Sequence, residues 1–122
     1  MEDSEHRYGW LLEAFVRRAS GDVGAFVVSK YGRREASSRK GDLATVGPLA
    51  TYAVRISELA EVAGVWCGFG RCHQVVMSVS GDRTLVIIPV GDGAQLAVMA
   101  SGADLGQLAF EAFRLVERLS QL

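Results

Sequence analysis

The sequence predicts an α+β domain: one five-stranded antiparallel sheet with helices on both faces, in the order α-β-β-α-β-β-β-α. Two periodicities carry this expectation. Three segments repeat apolar residues at helical spacing, and five shorter runs, four of them apolar with β-branched residues and one polar, read as strands. Tight-turn sequences, Ser80-Gly81-Asp82 and Gly91-Asp92-Gly93, separate the last three runs and close antiparallel hairpins, where parallel strands would need long crossovers. With 122 residues, 49% of them hydrophobic and 22% charged, the chain fits one domain over 1–122 whose core spans about 8–119.

The first helix is expected from about Tyr8 to Ala19, where Leu11, Leu12, Phe15, Val16 and Ala19 share a face and Ser20-Gly21 supplies the stop. Gly24 to Ser29 reads as a strand and Lys30-Tyr31-Gly32 as a turn. The polar run Arg33 to Ser38 then reads as an edge strand. A second helix spans about Leu43 to Ala63, with Pro48 expected in its first turn and Gly64 as the residue after its end. Three strands follow, Gln74–Val79, Thr84–Val90 and Gln95–Ala100. The last helix, Leu105 to Leu119, has Asp104 as its N-cap and Gln107 three positions on. Its apolar face comprises Leu105, Leu108, Ala109, Ala112, Leu115, Val116 and Leu119.

The second helix says most about partners. From Leu49 to Ala63 its charged residues are only Arg55, Glu58 and Glu61, which with Thr51 form a single narrow polar stripe. The remaining circumference is more apolar than one sheet face can cover, so the helix must be buried on more than one side. Either the first and third helices of the same chain cover it, or a second copy does. Its alanine-rich surface suits helix pairing across a two-fold axis, which favours a homodimer. The expected interface, for the second copy or another partner, is Thr45, Leu49, Tyr52, Ala53 and Ile56, with Val75 and Met77 of the following strand. Thr45, Leu49, Tyr52 and Ile56 are expected to form a shallow platform rimmed by Arg55 and Glu58.

Enzyme chemistry is not expected. No Gly-x-x-x-x-Gly-Lys-[Ser/Thr] phosphate loop occurs, and Gly91-Asp92-Gly93 lacks the third glycine and following helix of a dinucleotide site. Cys67-x-x-x-x-Cys72-His73, even with the distant His6, is not a zinc-knuckle spacing, so both cysteines read as free thiols. Adjacent side chains on a strand point to opposite faces, which separates Cys72 from His73 as a catalytic pair. No catalytic, cofactor or metal residue is therefore assigned.

Thirteen basic against fourteen acidic residues give a formal net charge of −1, so no global field draws the chain to nucleic acid or anionic lipid. One local cluster stands out: Lys30, Arg33, Arg34, Arg39 and Lys40 are five of the thirteen basic residues, opposed only by Glu35. It can protect an edge hairpin or steer an acidic partner surface. The acidic start, with Glu2, Asp3 and Glu5, is the opposite of a secretory leader, and no apolar run approaches a membrane span. A cytoplasmic protein without membrane insertion is expected.

Several stretches resemble one family. Trp10-Leu11-Leu12-Glu13-Ala14-Phe15-Val16 and Val23-Gly24-Ala25-Phe26-Val27-Val28-Ser29 resemble the opening of the Roadblock/LC7 domain family. Gln74-Val75-Val76, then Pro89-Val90-Gly91-Asp92-Gly93-Ala94-Gln95-Leu96-Ala97-Val98, then Ala103-Asp104-Leu105-Gly106 and Leu115-Val116-Glu117-Arg118, look closer still to its bacterial members. The resemblance runs from about Tyr8 to Leu119. It implies one helix on one sheet face and two on the other, and dimers in which two sheets become one. It also implies a non-enzymatic signalling role as regulator, activator or scaffold of a Ras-like small GTPase. In filamentous actinobacteria such proteins accompany a sensor kinase and a GTPase. The chain departs from the bacterial pattern at Tyr31-Gly32-Arg33-Arg34, where Asp-Gly and apolar residues are usual. The alternative from another class is a small-molecule-sensing module without a GTPase partner.

Overall fold

A computed structural model describes residues 2–19, 22–31, 34–37, 43–79, 82–91, 93–102 and 104–121. The elements are α1 (Glu2–Arg18), β1 (Asp22–Val28), β2 (Arg34–Ser37), α2 (Leu43–Trp66), β3 (Val75–Val79), β4 (Arg83–Val90), β5 (Ala94–Ser101) and α3 (Leu105–Ser120). The class is α+β, with one antiparallel sheet and three helices. Strand order is β2-β1-β5-β4-β3, which leaves the short β2 at one edge and β3 at the other. Hairpin pairings join β1 to β2, β3 to β4 and β4 to β5, while β1 pairs with β5 in the middle, Val28 opposite Gln95 and Asp22 opposite Ser101.

The central strands are buried on both faces. Along β4, Leu85 to Ile88 are all buried, and alternate side chains enter two separate cores. Val86 and Ile88 join Val23, Ala25, Val27, Leu96 and Val98 beneath α1 and α3, which contribute Leu11, Leu12, Phe15, Leu108, Ala112, Leu115 and Leu119. Leu85 and Ile87 join Phe26, Val28 and Ala97 beneath α2, which contributes Ala53 and Val54. The small side chains of Ala53 and Ala97, both fully buried, let helix and sheet approach closely.

Two helix ends and the place of Pro48 differ from the sequence expectation. Helix α1 starts at Glu2, upstream of the expected Tyr8, because residues 2–7 include no apolar residue and so carry none of the periodicity that marks a helix in the sequence. Helix α2 begins at Leu43, which puts Pro48 beyond the first turn. The missing N–H there removes a single i−4 bond near the helix start, so the cost stays local.

Gly64 is not the residue after the helix end, because α2 continues to Trp66 and Gly68, at φ +75°, makes the left-handed exit. Gly64 has a different task. A Cβ on it would lie 2.5 Å from the carbonyl oxygen of Gly70, so only glycine lets the following segment fold back on the helix. At the start of α3 the cap is as expected: the Gln107 N–H donates to Asp104 Oδ1 at 2.9 Å.

Phe26 is among the largest fully buried side chains of the α2 core. Phe26→Ala should lower unfolding stability by about 3–5 kcal/mol, measured as a shift of the urea midpoint.

Candidate functional site

The first and third helices do not cover α2. They lie across the sheet from it, α1 over β1 and β2 and α3 over β4, whereas α2 touches every strand from the other side. Among the described elements α2 therefore packs on the sheet alone, with only the segment after its own end folding back on it. Its outward stripe carries Tyr52, Leu59, Val62 and Trp66 at i, i+7, i+10 and i+14, and Val65 lies beside it. Tyr52 is 59% exposed, Leu59 70% and Trp66 86%. Thr51, Arg55 and Glu58 share this outer surface and supply its polar groups.

The expected interface residues divide between the two sides. Tyr52 faces outward, and Met77 on β3 is partly open. Leu49, Ile56 and Val75 pack against the chain's own α2 core, and Ala53 is wholly enclosed there. The expectation of Ala53 in an intermolecular surface is thus corrected: at that point of the helical turn, α2 meets its own sheet. The platform of Leu49, Tyr52 and Ile56 is corrected for the same reason, since Tyr52 alone of these three lies on the outer face. Thr45 falls in the first turn of α2, and its side chain lies outside the described residues. Arg33, Arg39 and Lys40 also lie outside them, as does the side chain of Arg34 in β2. Lys30 is exposed; its stem packs against Gly93 and its ammonium lies 5.2 Å from the Tyr31 ring centroid.

Beside this face lies β3, the open edge. Its residues, Val75-Val76-Met77-Ser78-Val79, include no charge, whereas β2 at the opposite edge includes Arg34 and Glu35. Met77 and Val76, on opposite faces of β3, are both exposed. An uncharged edge next to an exposed apolar helix is a surface that favours association.

The segment from α2 to β3 is fixed by one carboxylate. Glu61, a member of the polar stripe, is half-buried: Oε1 accepts from Arg71 Nε at 3.1 Å and Oε2 from the Cys72 N–H at 2.9 Å. The Gly64 carbonyl accepts from the N–H groups of Phe69 and Gly70 at 2.8 and 3.2 Å. These bonds hold Phe69 outward at 87% exposure. Cys72 is half-buried, with its Sγ 3.4 Å from the Gln74 carbonyl oxygen, and Cys67 is exposed. Ending α2 at Ala63 leaves Trp66 out of the sequence expectation, and Phe69, which lies in no helix or strand, carries no periodic signal that could find it. Continuing the outward spacing from Tyr52 and Leu59 would have found Trp66.

Geometry thus defines an α+β domain with two helices behind its sheet and one in front, and with an apolar front face beside an uncharged edge. Solved structures identify this architecture as the Roadblock/LC7 domain fold. A Roadblock/LC7 domain from Streptomyces avermitilis is 27% identical, with 91% of this chain and 92% of that one covered at a TM-score of 0.82. MglB of Myxococcus xanthus, 16% identical, also superposes at 0.82 over 94% of this chain and 93% of that one. The gliding protein MglB of Thermus thermophilus, 19% identical, does so at 0.82 over 97% and 89%. No protein-family model and no curated protein matches the chain. Among the described residues, no helix is long and apolar enough to cross a membrane.

The burial pattern predicts two different outcomes on neighbouring positions of α2. Ala53→Arg should abolish the cooperative thermal transition, because it buries an unpaired charge against the sheet. Tyr52→Arg should leave the protomer folded, with an unchanged far-ultraviolet circular dichroism spectrum.

Proposed function

We propose that this chain is a non-enzymatic, homodimeric regulator or scaffold that binds a Ras-like small GTPase and modulates its GTPase cycle in the bacterial cytoplasm. The observation that carries the reading is the outer face of α2, an apolar stripe left uncovered by the chain's own elements and bordered by the uncharged edge of β3. A second copy accounts for part of that surface, through β3 and the adjacent end of α2. The Roadblock/LC7 resemblance supplies the class of the other partner, a small GTPase. A larger signalling assembly with a sensor kinase is the context that the resemblance implies.

On this reading the GTPase docks where the burial pattern places an exposed aromatic. Tyr52, with Leu59 beside it and Arg55 and Glu58 interspersed, has an apolar centre and a polar surround, the composition of a transient partner site. The basic hairpin around Lys30 acts on encounter: charges at a rim change on-rate and salt dependence more than affinity.

Three measurements test the reading. Light scattering at micromolar concentration should give twice the 13.1 kDa mass of one chain. Phosphate release from GTP by the purified chain alone should equal the buffer blank, and turnover that persists through a second purification would refute a non-enzymatic role. With the Ras-like GTPase encoded nearest to this reading frame as the probe, Tyr52→Ala should cost at least about 1 kcal/mol of affinity at any salt concentration. Arg33→Glu with Arg34→Glu should act mainly at low salt. Wild-type affinity in a dimeric Tyr52→Ala protein would move the docking site away from α2.

A further inference from the structure

Trp66 and Phe69 are the most exposed large apolar side chains among the described residues, and the chain holds them that way. Phe69 lies in no helix or strand, yet its backbone is fixed on the side of α2. Its N–H and that of Gly70 donate to the Gly64 carbonyl, and Glu61 grips Arg71 and the Cys72 N–H just beyond. Gly64 lacks the Cβ that would strike Gly70, and Gly68 and Gly70 take the left-handed backbone that the reversal needs. Ordering such a segment costs conformational entropy, while its two aromatic rings gain almost no burial from their own protomer.

We infer that Trp66, in the last turn of α2, and Phe69, in the following segment that Gly64 and Glu61 fix, form an aromatic arm that is buried by a second copy of the chain. This rests on the homodimer part of the proposed function and names residues that carry it. Three observations choose the second copy as occupant. The arm leads, within six residues of Phe69, into β3, the open uncharged edge, so arm and edge form one continuous surface. From Leu59 to Cys72 the charged residues are Glu61 and Arg71, paired with each other, so a two-fold axis brings no unpaired like charges together.

The third is area. Each buried aromatic side chain removes roughly 150–250 Å² from water, so the four rings of a dimer supply on the order of 600–1,000 Å² of the ~1,600 Å² of a stable interface. Tyr52 lies fourteen residues before Trp66, or about 21 Å along the helix, so the arm and the exposed tyrosine occupy different stretches of α2.

Sedimentation velocity over a concentration series tests the arm. Trp66→Ala/Phe69→Ala should raise the dimer dissociation constant by at least about 30-fold, as loss of a hot spot does, with the circular dichroism of a folded protomer retained. Glu61→Ala removes no aromatic surface and should weaken the dimer in the same direction. Glu61→Gln, which keeps an oxygen for the Cys72 N–H, should restore part of the affinity.

Trp10→Phe leaves Trp66 as the single tryptophan, and its emission should then shift to shorter wavelength as the protein is concentrated. A wild-type dimer with an unchanged dissociation constant in Trp66→Ala/Phe69→Ala, or with concentration-independent Trp66 emission, overturns the arm and leaves the homodimer standing. An unchanged constant in Glu61→Ala removes Glu61's part. A wild-type monomer at every concentration overturns both the arm and the homodimer.

Discussion

Burial of the central strands on both faces is the constraint on which the rest of the structure depends. Consecutive side chains of β4, from Leu85 to Ile88, enter opposite cores, and Phe26 and Val27 of β1 and Leu96 and Ala97 of β5 do the same. A sheet of this kind must be covered twice. Two helices, packed on each other and on the sheet, close one face, and that leaves α2 to close the other by itself. Helix α2 can do so because Ala53 and Ala97 permit close approach, but a lone helix on a sheet face necessarily turns its other side to the surroundings. The exposed stripe of α2 is a consequence of topology as much as of composition.

The two sheet edges then acquire different characters. Strand β2 is short and includes charged residues, which discourages pairing with another strand. Strand β3 is an uncharged run of apolar residues and serine, reached from α2 through a segment fixed by Glu61. Apolar helix surface, open edge and fixed segment are contiguous, so the chain presents one side suited to association. The basic hairpin residue Lys30 lies in the turn between β1 and β2, on the strands at the opposite edge of the sheet.

Glu61 shows how a charge at a helix surface can serve the connection instead of the solvent. Two of its hydrogen bonds go to the segment that follows the helix, one to a guanidinium and one to a backbone N–H. Together with the bare Cα of Gly64 it decides where the chain turns from α2 into β3. The outward placement of Phe69 follows from these local contacts, and its value to the molecule lies in what can cover it.

The sequence by itself determined the α+β class, the order of the helices and the hairpins around Gly81 and Gly91, because periodicity and turn chemistry are local properties. It also determined that α2 carries more apolar surface than one sheet face can bury, and the resemblance to Roadblock/LC7 domains was legible in ordered stretches from Trp10 to Arg118. Which part of α2 is spare was decided only by tertiary structure. An amphipathic pattern shows its inner face by contrast with polar residues, and a helix apolar nearly all round offers too little contrast. The fold had to place Leu49, Ala53 and Ile56 against the sheet and Tyr52, Leu59 and Trp66 outside it. The sequence likewise could not show that Glu61 would reach Arg71 and Cys72, since that contact spans a turn whose path depends on the close approach of Gly64 and Gly70.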